Sequence, residues 1–291
     1  MAINRASGRL ARCFVAAGCA LFSTNLAAAE SVRVSELAAQ THVHGLAVDR
    51  QDPGRLLIAT HHGLFRAGAD GAAERISVVQ DFMGFNAHPT APGTLYASGH
   101  PAEGGNLGFI ASTDNGLSWQ AVSPGAGGPV DFHQMSVSPA DPATIYGVYG
   151  DVQVSRDAGR TWAVVGPARA ALIDLAASAR DPDLLYAATE SGLLASRDAG
   201  ATWQGVLEGA PVSLVEVSPD GKLYAFVLGR GLLVSAEEPL ALAATGSDWG
   251  DRILLHLAVD PADPDRLFAA THEGDILASG DGGKTWSPFG G

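Results

Sequence analysis

The sequence predicts an all-β chain folded as a single β-propeller of about six four-stranded blades. Three observations predict it. The pattern Ser-x-Asp-x-Gly-x-(Ser or Thr)-Trp occurs four times. Its copies recur with a period of about 42 residues, the length of four short strands and their turns. Between the copies, β-rich runs alternate with Asp-Pro or Asp-Gly turns.

The four copies are Ser112 to Trp119, Ser155 to Trp162, Ser196 to Trp203 and Ser279 to Trp286. Their aspartates fall at 114, 157, 198 and 281, so the gaps are 43, 41 and 83 residues. The last gap is two periods and hides a degenerate copy at Glu237-Glu238. One period before Asp114 lies another degenerate copy, Asp70-Gly71, which brings the count to six. The aspartate is expected to accept hydrogen bonds from turn amides, the glycine to supply a positive φ, and the tryptophan to bury its ring between sheets. These motifs are therefore fold markers with no catalytic role. The acidic one-turn ligand set of a calcium-binding EF-hand is absent from them.

The strand pairs repeat as well. Gly45 to Asp49 leads through Asp52-Pro53 into Arg55 to Thr60. Met135 to Ser138, Val215 to Ser218 and Leu257 to Asp260 begin equivalent units. Ser31 to Leu37 is expected to add a strand to the last blade, whose own fourth strand over Thr285 to Phe289 is short.

The amino-terminal segment reads as a secretory signal peptide, residues 1–29, ahead of a propeller over 30–291. Arg5, Arg9 and Arg12 precede an apolar run from Cys13 to Phe22, and Ala27, Ala28 and Ala29 form a small-residue cleavage site. Ala17-Gly18-Cys19 resembles the end of a lipoprotein signal, the alternative reading. The run is too short to span a bilayer, and no later segment reads as a membrane span. A periplasmic or secreted protein is expected. Both cysteines lie in the leader, so the mature chain carries no disulfide and no thiolate ligand. The whole chain has a net charge of −13; without the leader, 15 basic residues face 31 acidic ones, a net −16. So acidic a surface repels phosphate backbones and attracts cations, which excludes nucleic acid as a partner. A monomer is expected.

The boxes resemble those of Asp-box (BNR-repeat) propellers, a group that includes sialidases, sortilin-type receptors, photosystem assembly factors and secreted bacterial proteins classed as glycosyl hydrolases. His42-Val43-His44-Gly45, Asp81 to Phe85, Ser98 to Pro101 and Asp131 to Met135 resemble the signature of that last group. The resemblance covers the mature chain and is specific for fold. The arginine cluster a sialidase requires is missing: Arg156, Arg160 and Arg197 belong to the boxes.

Repeat alignment also places the histidines. His44, Met83 and His133 are equivalent at the start of first strands, and His42, Asp81 and Asp131 lie two residues earlier. The loops after second strands carry His61-His62, His100 and His272-Glu273. Eight of the nine histidines thus map to one mouth of the central channel, and His88 is the exception. Imidazoles with nearby carboxylates suit zinc or copper. The expected metal centre has His42, His44, His100 and His133 at its middle, His61, His62 and His272 at its rim, and Asp81 and Asp131 as ligands or orienting groups. His256, on an apolar strand, is the expected core histidine. The alternative is a glycosyl hydrolase-like enzyme acting on a glycan or other small molecule, with Asp81, Asp131, Glu190 and Glu273 as candidate catalytic carboxylates. A second alternative is a scaffold that grips a protein partner. The glycine-containing loop from His100 to Gly108 is expected to overhang the mouth.

Overall fold

First strands that are apolar on both faces require cover on both faces, and a ring of sheets supplies it. The computed structural model describes residues 31–168 and 172–290. Six antiparallel sheets follow one another along the chain. Their innermost strands are Val43–Val48, Met83–Ala87, Gln134–Val137, Leu172–Ala177, Val212–Val217 and Leu254–Asp260. Each packs beside the next, and the first packs beside the last, so the ring closes into a six-bladed propeller.

The hydrophobic core is divided among the six gaps between blades. Leu46, Val48, Leu56 and Ile58 of blade 1 face blade 6, while the alternating Ala47, Leu57 and Ala59 face blade 2. The same alternation fills the other four gaps. Two buried faces per strand explain the near-continuous apolar runs in the sequence.

Ring closure departs from the expectation. Ser31–Arg33 pairs antiparallel with Ala72–Arg75 on the outer edge of blade 1, not with the last blade. Blade 6 is completed by its own Ser287–Pro288. A short helix, Val34–Leu37, follows the added strand, and its Val34 and Leu37 enter the cluster shared by blades 1 and 6. Phe289 enters the same cluster, 5.2 Å from Phe268. Gly290 closes against blade 1, where a side chain on Gly71 would collide with its carbonyl. Blade 1 is thus reached by the closing segment without a strand exchange. The predicted leader lies outside the described residues. Among the described residues no helix is long and apolar enough to cross a membrane.

The four box turns share one hydrogen-bond pattern. Asp157 Oδ1 accepts from the Thr161 amide at 2.8 Å and from Ser155 Oγ at 2.8 Å, and Oδ2 accepts from Thr161 Oγ1 at 2.7 Å. Asp114, Asp198 and Asp281 repeat it. The positive φ extends one residue further than expected, to Asn115, Ala158 and Ala199, each just before the box glycine. The turns lie at the channel end opposite the histidines: Asn115 Nδ2 donates to Asp49 Oδ2 at the far end of the blade 1 inner strand.

Candidate metal centre

Two Asp-Phe pairs build the mouth. Phe82 and Phe132 are fully buried, each with its ring 4.8 Å from a box tryptophan, Trp119 and Trp162 respectively. Their amides are tied to the preceding blade: Phe82 donates to the Thr60 carbonyl and Phe132 to Ser98 Oγ. Asp81 and Asp131 are therefore planted at blade boundaries, beside the loops that carry His61 and His100.

The first group is His44, His61 and Asp81. A bulge between Val43 and Gly45 interrupts the strand pairing at His44, which lines the channel. His44 Nε2 stands 3.8 Å from Asp81 Oδ1. Both atoms are buried, and neither has a hydrogen-bond partner among the described residues. Asp81 Oδ2 accepts from His61 Nδ1 at 2.9 Å. Burial, reinforced by the charges of His61, His256, His133 and His42, pulls His44 down to about 3. Its ring is therefore neutral near physiological pH, with a nitrogen lone pair for a cation.

The second group is His100, Asp131 and His133. Here the ring nitrogens pair with one carboxylate oxygen, while the buried Asp131 Oδ1 has no hydrogen-bond partner among the described residues. His133 Nε2 donates to Asp131 Oδ2 at 2.7 Å, and His100 Nε2 meets the same oxygen at 2.9 Å. The other ring nitrogen of His100 donates to the Gly105 carbonyl at 2.7 Å. Burial works against the Asp131 carboxylate, but hydrogen bonding and charge from His133 and His100 outweigh it and hold it below its ordinary value. The hydrogen bond to Asp131 correspondingly raises His133, against a smaller effect of burial. In each group the donor atoms all lie within 4.8 Å of one another.

The structure thus gathers six of the nine expected metal residues into two groups rather than one. His61 stands inside the first group instead of at a rim. His42 is exposed outside it, with its ring 5.6 Å from His61. His62 is exposed, and its amide donates to Thr60 Oγ1. His272 is exposed, and its Nδ1 accepts from the Ile253 amide at 3.2 Å. Glu190 and Glu273 are exposed loop residues outside both groups. His88 accepts from the Thr90 and Ala91 amides as a turn fastener. His256 is the buried strand histidine, bonded to the Val43 carbonyl and held down to about 4 by burial. The loop after His100 is tied down by Asn106, whose Nδ2 donates to the Pro129 carbonyl and to Tyr149 Oη.

Sequence reasoning missed Asp174 and Glu216, which line the channel on blades 4 and 5. Asp174 accepts from the Leu175 and Val215 amides at 2.9 Å each. Glu216 has no hydrogen-bond or ion-pair partner among the described residues. Burial raises Asp174 to about 7, and burial together with the Asp174 charge raises Glu216 to about 8. The available signal was an acidic residue within an otherwise apolar first strand, Leu-Ile-Asp-Leu-Ala and Leu-Val-Glu-Val.

No protein-family model matches the chain, and no curated protein does. Solved propellers do match. A GH74 xyloglucanase from Xanthomonas campestris superposes with a TM-score of 0.58 at 19% identity, over 89% of this chain and 46% of that one. A GH74 enzyme from Niastella koreensis gives 0.60 at 14% identity, over 85% of this chain and 45% of that one. YCF48 bound to a D1 peptide gives 0.52 at 17% identity, over 89% and 84%. The chain spans less than half the length of these GH74 chains. At such identities the likeness shows the propeller fold, and function has to come from the site.

Proposed function

We propose that this protein is an exported propeller that binds one zinc or copper ion through His44, His61 and Asp81. A single observation carries the reading: His44 Nε2 and Asp81 Oδ1 face each other at 3.8 Å, buried and without hydrogen-bond partners among the described residues. A polar atom buried without a partner costs roughly 1–3 kcal/mol. An ion between the two satisfies both. With metal–nitrogen and metal–oxygen distances near 2.0–2.2 Å, tetrahedral ligands lie about 3.4 Å apart, so the gap closes by a few tenths of an ångström. His61 supplies the third donor by releasing Asp81. Two imidazoles and one carboxylate leave a coordination position open to the channel.

The test is elemental analysis of the protein purified from the periplasm, followed by titration of the metal-free form with zinc and with copper. The wild type should take up one ion per chain at this site. The His44→Ala/Asp81→Ala variant should lose at least 100-fold in affinity, and its metal-free form should unfold within a few degrees of the wild type. Undiminished binding by the variant refutes the assignment. Glycoside hydrolysis that survives chelation would favour the carboxylate enzyme instead.

A further inference from the structure

We propose that His133, held by Asp131, is the proton-transferring base of a metal-assisted hydrolytic site for small uncharged esters at the channel mouth. This inference rests on the ion site of His44, His61 and Asp81 just described. It goes further by giving the second group a different task.

The two groups share residue types but not hydrogen bonding. The first leaves two buried atoms facing each other without partners among the described residues, His44 Nε2 and Asp81 Oδ1; the second leaves one, Asp131 Oδ1. In the second, Asp131 Oδ2 accepts from His133 Nε2 at 2.7 Å and stands 2.9 Å from His100 Nε2. A carbonyl oxygen only accepts, so the proton between His100 and Gly105 sits on His100 Nδ1. His133 differs. Its Nε2 proton points at Asp131, and its Nδ1 has no partner among the described residues. The ring is half exposed and lines the same channel as His44. A carboxylate that fixes one nitrogen of an imidazole and leaves the other free toward a cavity is the arrangement of a general base. The two groups are also neighbours. His133 feels the charge of Asp81, and His44 feels that of His133. The Asp81 amide donates to the His100 carbonyl at 2.9 Å.

The walls select the substrate. Asp174 and Glu216 line the channel, and the guanidinium of Arg50, the one arginine lining it, is spent on the His88 and Pro89 carbonyls. The channel therefore offers an anion no free guanidinium. The channel space of about 170 Å³ is close to that of an engineered cavity that takes benzene, so the acyl group is small.

In the step, a water between the ion and His133 gives a proton to Nδ1, and its oxygen adds to the ester carbonyl carbon. The carbon–oxygen bond to the alcohol then breaks, and the leaving oxygen takes the proton back from Nδ1. One ester and one water become one carboxylic acid and one alcohol, with no change of oxidation state.

The experiment uses the mature protein loaded with zinc, p-nitrophenyl acetate as substrate, and bound zinc measured in the same samples. The wild type should hydrolyse the ester faster with zinc than without. His133→Ala should lower kcat at least 100-fold at unchanged zinc content and unfolding temperature. Asp131→Asn, which misplaces the positioning group, should lower kcat with KM nearly constant. Full activity in His133→Ala, or zinc-loaded wild type no faster than zinc-free, overturns the proposal while leaving the ion site standing. Absence of bound zinc in the wild type overturns the ion site and this inference together.

Discussion

Ala158 holds φ at 59° in a box turn, a region that an L side chain enters at a cost of about 1–2 kcal/mol. The fourth box places glycine there, Gly282 at φ 73°. The turn is nonetheless kept by Asp157, whose hydrogen bonds to Thr161 and Ser155 hold its carboxylate down to about 2. Replacing Ala158 with glycine removes the strain while adding freedom to the unfolded chain, and the two effects oppose each other. Ala158→Gly should therefore stabilise the protein by only about 0.5 kcal/mol. Urea unfolding checks it, and a loss of stability would mean that the freedom gained by the unfolded chain outweighs the strain relieved. The same scale explains why the boxes were legible. Each residue in them answers a local demand, and local demands leave a fixed spacing in the sequence.

The Asp-Phe segments connect the blade cores to the mouth. Phe82 is buried against Trp119, and its backbone neighbour Asp81 reaches His61 and His44. Phe82→Ala should cost about 3–5 kcal/mol through the cavity it leaves, and should weaken zinc binding because Asp81 loses its anchor. Phe82→Leu keeps most of the volume and should keep most of both. Chemical unfolding of the metal-free variants, beside zinc titration, separates the two effects. Destabilisation without any change in affinity would show that Asp81 is positioned by other contacts. Much of this element was legible: the rhythm of the repeat put Asp81 and Asp131 at equivalent places on the histidine face. Their partners were not legible. His61 finds Asp81 across a blade boundary and 20 residues along the chain, and His100 finds Asp131 across another. Such pairings depend on how two loops fold back. The bulge at His44 leaves no mark on residue spacing either. Composition and period therefore predicted one cluster where the packing makes two.

For the whole ring, the channel gathers titratable groups whose charged forms burial disfavours. Asp174 and Glu216 were hidden from sequence reasoning because a strand position says which face a residue takes, not which strand of another blade it meets across a closed ring. Their ionisation carries a signature in stability. Both have folded-state values above the ordinary range, about 7 and about 8. Their contribution is complete below about pH 4, the ordinary carboxylate range, and is lost as the pH rises through those folded values. His256 acts in the opposite sense. Its folded value of about 4 lies below 6.5, so its contribution is complete above 6.5 and fades as the pH falls toward 4. Below pH 6.5 His44 and His256, both depressed, together offset the two acids; above it the acids titrate beside His133, whose value is raised by its bond to Asp131. The metal-free protein should therefore lose roughly 2 kcal/mol of stability between pH 6.5 and 8. Asp174→Asn/Glu216→Gln should flatten that slope, whatever it does to stability at a single pH, since an asparagine can accept only one of the two amides that now bond to Asp174. Urea unfolding of the metal-free wild type and the double variant at half-unit steps measures both slopes. A wild-type slope that persists in the double variant would place the titrating protons elsewhere in the ring.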